Sequence, residues 1–210
     1  MSAPPPLGGS RWSSRLELRP LVVADAPALH QYRSRPDVCR YIYSEPLPLA
    51  AIVTRLEGPW SRQRVEHEGE GVSLAVVRRD TGVLIGDVVL MWLSERDRLG
   101  EIGWVLSPEH SGRGYATEAA HRLLHVAFDE WQLHRVIARV DVRNETSQRV
   151  ARRLGLREEA HLVSNEWFKG EWTSEVDYAL LDHEWRDGRV PCSCDDSIHG
   201  PASSPAHSDT

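Results

Sequence analysis

The chain has 210 residues, of which 40% are hydrophobic, and a formal net charge of −6 at pH 7. This length and hydrophobic content suit one globular domain with a buried core. The acidic balance argues against a nucleic-acid-binding surface, and no apolar run reaches the length of a membrane helix. We therefore expect neither a nucleic-acid partner nor a membrane partner.

Both ends of the chain are rich in proline, glycine and serine. Residues 1–14 lack the apolar core of a signal peptide, and residues 187–210 are polar. Such segments bury too little apolar surface to fold by themselves. We expect a disordered leader at 1–14, one folded domain at 15–186 and a disordered tail at 187–210.

Cysteine is scarce, with Cys39, Cys192 and Cys194 as its three occurrences. An odd number of cysteines argues against a disulfide framework and fits a reducing cytoplasm. Cys192 and Cys194 offer two ligands in a flexible tail, which is too few for a good metal site. His121 and His125 share a helix face but have no matching third ligand, so we expect no metal.

In chain order, the first predicted element is a strand at 15–21, where leucines alternate with charged residues. Asp25 is a candidate cap for a short helix over 26–34. Residues 48–68 have helical spacing, with a break or kink expected at Gly58-Pro59.

Three strands are predicted next, at 72–79, 83–93 and 99–107. The turn 80-DTG-82 between the first two is a strong hairpin signal. The three strands therefore form an antiparallel meander.

The remaining elements are a helix at 115–131, a strand at 135–142, a helix at 145–155 and two strands at 157–168 and 173–185. The strand–helix–strand unit around 115–131 requires a parallel pair of strands. The order of elements predicts a mixed α/β (α+β) sheet with helices on both faces.

The turn before the 115–131 helix contains Gly112-Arg113-Gly114. A dinucleotide-binding turn would have a third glycine where this chain has Thr117, and a nucleotide-hydrolysing phosphate loop would have lysine after its last glycine, where this chain has Tyr115. Either the glycines only turn the chain, or they expose N–H groups at a positive helix end to an anion.

The second interpretation predicts a site for a pyrophosphate bound without a metal. N–H groups from Ser111 through Ala116 would face the anion, and Arg113 would add a charge contact. Gly112 and Gly114 would let the phosphates approach the main chain closely.

The run 108-PEHSGRGYATEA-119 resembles the acetyl-CoA pyrophosphate turn of the GCN5-related N-acetyltransferase superfamily. Its GYATEA portion resembles the branch that acetylates the N-termini of ribosomal proteins (RimJ/RimL-like). The resemblance covers 15–186. Two positions depart from the pattern: Glu109 replaces the frequent Gln or Arg, and Ser174 replaces a frequent Asp.

Other segments match in the expected order. They are 101-EIGW-104 before the turn, 144-NETS-147 and 152-RRLGL-156 around the next helix, and 169-KGEW-172 with 178-YALL-181 in the closing hairpin. The resemblance implies a mostly antiparallel sheet of six to seven strands whose central parallel pair splays apart.

The resemblance also implies acetyl-CoA as co-substrate, its pantetheine arm lying between the splayed strands. The residues implied in cofactor binding are Trp104, Val105, Leu106, Ser111, Gly112, Arg113, Gly114, Tyr115, Ala116, Thr117, Asn144 and Ser147. For Tyr115, core packing is the more frequent use of such an aromatic residue. For Asn144, a helix cap and a cofactor contact are compatible.

The same resemblance places the Ser147 hydroxyl near the thioester sulfur, where it would stabilise the leaving thiolate. Two carboxylates compete as general base, Glu101 on the strand before the turn and Glu166 on a late strand. A water relay with no single base is the third possibility.

We therefore predict an acetyl-CoA-dependent N-acetyltransferase that acts on a primary amine by direct attack in a ternary complex. The acceptor stays open between a protein N-terminus and a small-molecule amine. The alternative is a non-catalytic acyl-CoA-binding sensor or regulatory module. We expect a cytoplasmic monomer or homodimer.

Overall fold

A computed structural model describes residues 3–188. Its eight strands form one sheet in the order β1-β2-β3-β4-β5-β6-β8-β7. The strands are β1 (Arg11–Trp12), β2 (Leu16–Pro20), β3 (Gly71–Arg78), β4 (Leu84–Ser94), β5 (Leu99–Leu106), β6 (Arg135–Asp141), β7 (Arg157–Phe168) and β8 (Glu171–Leu181).

Helices connect the strands before β3, between β5 and β6, and after β6 and β8. They are α1 (Ala26–Arg33), α2 (Pro36–Cys39), α3 (Leu49–Leu56), α4 (Tyr115–His125), α5 (Glu145–Arg153) and α6 (Asp182–Arg186). A π-helical turn, Val126–Glu130, extends α4. None of the helices within residues 3–188 is long and apolar enough to cross a membrane.

The pairing of the strands confirms the predicted mixed sheet. β5 pairs with β6 in parallel, whereas β3 pairs with β4 and β4 pairs with β5 antiparallel, as expected of the meander. The sheet has eight strands because β1, a two-residue strand paired with β2, adds to the seven predicted ones.

Helices cover both faces of the sheet, as predicted. α4 and α5 pack over one face in the main core, which includes Leu74 and Val76 of β3. α1 and α3 pack over the opposite face, against Ala75 and Val77. Since successive residues of a strand point to opposite faces, one strand serves both layers.

The helix predicted at 48–68 is shorter than expected. α3 ends at Leu56, and a 3₁₀ turn, Pro59–Ser61, follows. Proline lacks the N–H that would continue the helical ladder, so Gly58-Pro59 ends the helix instead of kinking it. A short helix that was not predicted, α2, follows α1.

The disordered leader expected at 1–14 differs from the structure over residues 3–14. Leu7 is 1% exposed within the main core, and Arg11 donates from Nε to Glu130 Oε1 at 2.9 Å. These partners lie far along the chain, so local composition did not reveal them. The tail predicted from residue 187, with Cys192 and Cys194, lies outside the described residues from 189 onward.

Candidate active site

The central strands β5 and β6 separate toward their C-terminal ends. Their register runs from Leu99–Arg135 to Glu101–Ile137 and stops there, although β5 continues to Leu106 and β6 to Asp141. β4 stays paired with β5 as far as Leu106. The edge of β5 that faces β6 beyond residue 101 can therefore pair with an extended ligand.

The glycine turn lies just beyond the end of β5. Gly112 and Gly114 have φ of 75° and 80°, a region in which glycine carries no Cβ penalty. Glu118 N donates to Gly114 O at 3.0 Å, and the N–H groups of residues 115–117 precede this bond in the first turn of α4. Among the described residues, Thr117 Oγ1 is buried without a hydrogen-bond partner. The turn thus presents donors to an anion, and Thr117 adds a hydroxyl.

The N-terminal segment binds both the glycine turn and the first turn of α4. Glu118 is 3% exposed and accepts hydrogen bonds from Ser13 Oγ at 2.7 Å, Arg15 N at 2.9 Å and Arg15 Nε at 2.6 Å. Arg15 also donates from its guanidinium to Arg113 O at 3.0 Å. Burial alone would raise the pKa of Glu118, but the bonds from Ser13 and Arg15 outweigh burial and lower it.

Two residues implied in cofactor binding place their side chains in the core. Tyr115 is 8% exposed in the main core, with the Arg15 guanidinium 4.6 Å from its ring centroid. Leu106 packs against the same core. Only main-chain groups of these two residues are therefore placed to meet a ligand.

A cleft of about 520 Å³ opens beside the separated strands. The structure brings six of the predicted site residues into its lining, whereas residues 111–117 and Leu106 lie outside it. The six are Glu101, Trp104, Val105, Asn144, Ser147 and Glu166.

Asn144 places Ser147 at the edge of this cleft. Asn144 is the N-cap of α5, and its Oδ1 accepts a hydrogen bond from Ser147 N at 3.1 Å. The cap directs the first turn of α5 toward the cleft, which both side chains line. The cap interpretation of Asn144 is confirmed and leaves its cofactor contact open.

Glu101 is held by an arginine that the sequence did not single out. Arg139 of β6 donates from Nε to Glu101 Oε1 at 3.2 Å and from Nη2 to Oε2 at 2.5 Å. The hydrogen bond to Glu101 is the main cause that raises the pKa of the Arg139 guanidinium. Both carboxylate oxygens of Glu101 therefore accept hydrogen bonds from one guanidinium.

A second carboxylate cluster involves Tyr43 and Glu175, which sequence reasoning missed. The Tyr43 hydroxyl donates to Glu175 Oε2 and lies in hydrogen-bonding range of Glu166. Burial is the largest cause of the raised pKa of Tyr43, followed by the bonds to Glu166 and Glu175. Alternation in β8 was the available signal, because Glu175 and Asp177 lie on the face opposite Tyr178.

A buried ion pair forms the wall of the cleft on the α1 side. Arg33 donates from Nε to Asp87 Oδ1 at 3.1 Å, and Tyr32 donates its hydroxyl to the same oxygen at 2.6 Å. Desolvation is the largest cause that raises the pKa of Tyr32, and the Asp87 charge adds to it. This triad joins α1 to β4.

The loop over residues 40–47 is fastened across the cleft by the β7–β8 hairpin. The ring of Tyr43 lies 5.3 Å from that of Phe168. Lys169, the only lysine of the chain, donates from Nζ to Ser44 O at 2.9 Å and to Cys39 O. This side of the cleft therefore depends on contacts between segments that are distant in sequence.

The cleft has more anionic than cationic groups. Five carboxylates and three guanidiniums line it, so it favours a cationic ligand. These groups are Asp87, Glu101, Asp141, Glu166 and Glu175, with Arg33, Arg55 and Arg139.

Comparison with known proteins matches residues 15–157 to the acetyltransferase (GNAT) domain. An uncharacterized N-acetyltransferase of Bacillus subtilis, YnaD, is 32% identical over 177 residues, which are 82% of this chain and 97% of that protein. The putative ribosomal N-acetyltransferase YdaF of the same species is 33% identical over 60% of this chain and 67% of its own length. Spermidine N(1)-acetyltransferase of Escherichia coli is 26% identical over 81% of this chain and 88% of its own length.

The fold is shared with solved structures. The acetyltransferase (GNAT family) from Bacillus anthracis is 28% identical, with a TM-score of 0.73 over 83% of this chain and 99% of that chain. The separated parallel pair, the glycine turn and the matched domain agree with one another. The chain belongs to the GNAT acetyltransferase family and is an acetyl-CoA-dependent N-acetyltransferase.

Proposed function

We propose that this chain transfers the acetyl group of acetyl-CoA to a primary amine by direct attack in a ternary complex, within the RimJ/RimL-like branch. One observation carries the proposal: β5 and β6 part after Glu101–Ile137 and open a cleft next to the glycine turn. That arrangement lets one extended thioester span the turn and the cleft.

The residues present suit acetyl-CoA. The main chain of residues 104–106 would pair with the pantetheine arm, since β6 leaves that edge of β5 open. The turn would hold the pyrophosphate through the N–H groups of 111–117, with Arg113 supplying charge and Thr117 Oγ1 gaining a partner. A Cβ at Gly112 would meet nothing within 4 Å, so the chain itself leaves that side of the turn open.

Ser147 and Glu166 are the predicted catalytic residues that the geometry supports best. The Asn144 cap holds Ser147 at the cleft, where its hydroxyl would hydrogen-bond the leaving sulfur. Glu166 lies beside the Tyr43 hydroxyl in the same cleft, without the arginine that holds Glu101. Glu166 can accept the ammonium proton directly or through water.

The acceptor is an amine that arrives as a cation. The acidic balance of the cleft favours such a ligand. Relatives named for spermidine and for ribosomal acetylation mark the two classes to test, polyamines and protein N-termini.

The first test is thermal melting with acetyl-CoA titrated in, followed by thiol release against a panel of polyamines, other small amines and N-terminal peptides. We expect a saturable rise in Tm, since a ligand that binds the folded state stabilises it, and thiol release with one acceptor class. A Tm rise without release from any acceptor would favour the acyl-CoA-binding sensor. No rise even at millimolar acetyl-CoA would refute the cofactor site.

A matched pair of glycine variants tests the turn itself. Gly112 (φ 75°) and Gly82 (φ 68°, in the β3–β4 turn) both have open space where a Cβ would stand. Gly112→Ala and Gly82→Ala therefore cost similar backbone strain, about 1–2 kcal/mol. We expect only Gly112→Ala to weaken acetyl-CoA binding in the melting titration; equal binding by both variants would contradict the assignment.

A further inference from the structure

We propose that Glu175 accepts the proton of the acceptor ammonium and that Tyr43 positions its carboxylate. The proposal rests on the proposed amine acetylation and replaces Glu166 with Glu175 as the base. It starts from the position of Glu175, which pairs with Asp141 at the end of β6, where β5 and β6 are no longer paired. Glu175 is 7% exposed and lines the same cleft as Ser147.

Arginines engage three of the five carboxylates in the cleft. Asp87 is bound by Arg33, and Glu101 by Arg139. Asp141 accepts from Arg143 Nε at 2.9 Å and from Nη2 at 2.7 Å. A carboxylate whose two oxygens both accept hydrogen bonds from a guanidinium has no free oxygen to offer an ammonium without breaking one of those bonds.

Glu166 and Glu175 remain, and burial separates them. Glu166 lies on the edge strand β7 and is half-buried where it lines the cleft. Glu175 lies on the inner strand β8, between β6 and β7, and is buried where it lines the same cleft. A buried base can be shielded from competing water more readily than a half-buried one at the sheet edge.

Tyr43 gives Glu175 a fixed orientation. Its hydroxyl donates to Oε2, so Oε1 is the oxygen left for an incoming ammonium. Tyr43 as a whole residue is 61% exposed, but the hydrogen bond from its hydroxyl to Glu175 is partly buried. Lys169 holds the loop that carries Tyr43, and residues 41–44 of this loop also line the cleft.

The ammonium donates one proton to Glu175 and becomes a neutral amine. The nitrogen lone pair forms the C–N bond to the thioester carbonyl carbon, and the C–S bond breaks with its electron pair on sulfur. The second nitrogen proton passes to the thiolate, with Ser147 as the nearest predicted hydroxyl, and the Glu175 carboxylic acid releases its proton to solvent. The products are the acetamide, the thiol and one proton.

Charged and titratable groups on each neighbouring element face Glu175. They therefore contribute to any pH dependence of kcat. Arg139 is a cation close enough to interact with Glu175 electrostatically, whereas the surrounding carboxylates oppose a further negative charge. The facing groups are Tyr43 of the loop, Arg139 and Asp141 of β6, Glu101 of β5 and Glu166 of β7.

The test compares Glu175→Gln with Glu166→Gln, using the acceptor that supports thiol release by the unmodified chain. We expect Glu175→Gln to lower kcat by about 10²–10⁴-fold, as for loss of a general base, and to keep the acetyl-CoA-induced rise in Tm. Glu166→Gln should change kcat by less than about tenfold. If Glu175→Gln melts early, Glu175→Asp keeps the carboxylate and should recover part of kcat.

Tyr43→Phe separates positioning from packing, because the ring stays and only the donor is lost. Donation to a carboxylate stabilises its charged form, so we expect the acid limb of the kcat–pH profile to move to higher pH. Ser147→Ala should lower kcat without moving that limb. An unmoved limb in Tyr43→Phe would contradict the positioning by Tyr43.

The outcomes distinguish this proposal from the one on which it rests. Turnover that survives Glu175→Gln within about threefold, or a large loss in Glu166→Gln alone, would overturn Glu175 as base and leave the acetylation in place. Absence of turnover by the unmodified chain with every acceptor would overturn both.

Discussion

The two faces of the sheet are built from alternate residues of the same strands and have opposite character. One face carries Val88, Leu90, Ile102, Val136, Ala138, Val140, Val176 and Tyr178, all buried in the main core under α4 and α5. The other carries Asp87, Val89, Met91, Glu101, Gly103, Arg139, Asp141 and Glu175, which line the cleft. Because strand side chains alternate, the strands that hold the fold together also position the charged groups.

The difference lies in what covers each face. α4 and α5 seal the apolar face, whereas α1 and α3 cover only the part of the other face near Ala75 and Val77. Over β5, β6 and β8 the polar face stays open, where hydrated ligands can reach it. Substitutions on each face should therefore differ in their effects on stability and on the acceptor KM.

Asp87→Asn should be the most destabilising change, because Asp87 lies on the polar face where α1 covers it. The variant leaves the buried Arg33 guanidinium without its counter-charge. We expect the free energy of unfolding to fall by about 3–5 kcal/mol, measured by urea denaturation. Asp80→Asn is the control, since its pair with Arg78 is exposed and should change little. Similar losses of unfolding free energy in both variants would contradict the expected difference between the buried and the exposed ion pair.

Leu90→Ala and Val89→Ala compare neighbouring residues on opposite faces. Leu90 is fully buried within the main core, whereas Val89 is half-buried and lines the cleft. We expect Leu90→Ala to cost about 2–5 kcal/mol of unfolding free energy and Val89→Ala clearly less. In thiol-release assays, Val89→Ala should raise the acceptor KM more than Leu90→Ala does. An equal loss of stability would show that the cleft face packs as tightly as the core.

Glu118→Gln tests the buried carboxylate that ties the N-terminal segment to α4. It should lower stability near neutral pH by about 1–3 kcal/mol, since charge-assisted bonds from Arg15 are weakened. The folded pKa of Glu118 is lowered from 4.5, so its contribution is present above that value and is lost as pH falls through the folded pKa. Melting from about pH 3 to pH 7 should therefore show the gap between variant and parent closing in acid.

Glu130→Gln is the control for that experiment. Glu130 binds Arg11 of the same segment but is less buried, with 38% of its side chain exposed. Its effect should be smaller, and it should leave acetyl-CoA affinity unchanged, because it does not touch the glycine turn. Loss of acetyl-CoA affinity in both variants would mean that docking of the whole segment, and not Glu118 itself, supports the turn.

Lys169→Met should have the smallest effect on stability and act on the open face. It removes the bonds that fasten the 40–47 loop, which we expect to raise the acceptor KM about fivefold, the equivalent of about 1 kcal/mol. Lys169→Arg keeps a cationic donor and should restore most of the loss. An unchanged KM in Lys169→Met would show that the loop needs no such fastening.

Local patterns predicted the elements well where periodicity was long or where proline and glycine marked the ends. The meander, the parallel pair and the Asn144 cap followed from alternation and capping chemistry. α3 was predicted too long because a helical pattern can continue past the residue that ends the helix, here before Gly58-Pro59. The N-terminal segment was misjudged because its stability comes from Glu118 and Glu130, far along the chain.

The glycine turn and the family could be identified from the sequence, because they depend on residues close together in one segment, and the cofactor side of the site was predicted from the same residues. The tertiary structure was needed to show that Arg139 binds both carboxylate oxygens of Glu101 and that Tyr43 contacts Glu175, 132 residues away in sequence. Pairing of charged groups depends on which strands become neighbours, and strand order is a property of the whole sheet. The side of the cleft proposed to hold the acceptor is assembled from the 40–47 loop, β5, β6 and the β7–β8 hairpin. No single segment of the sequence could therefore reveal it.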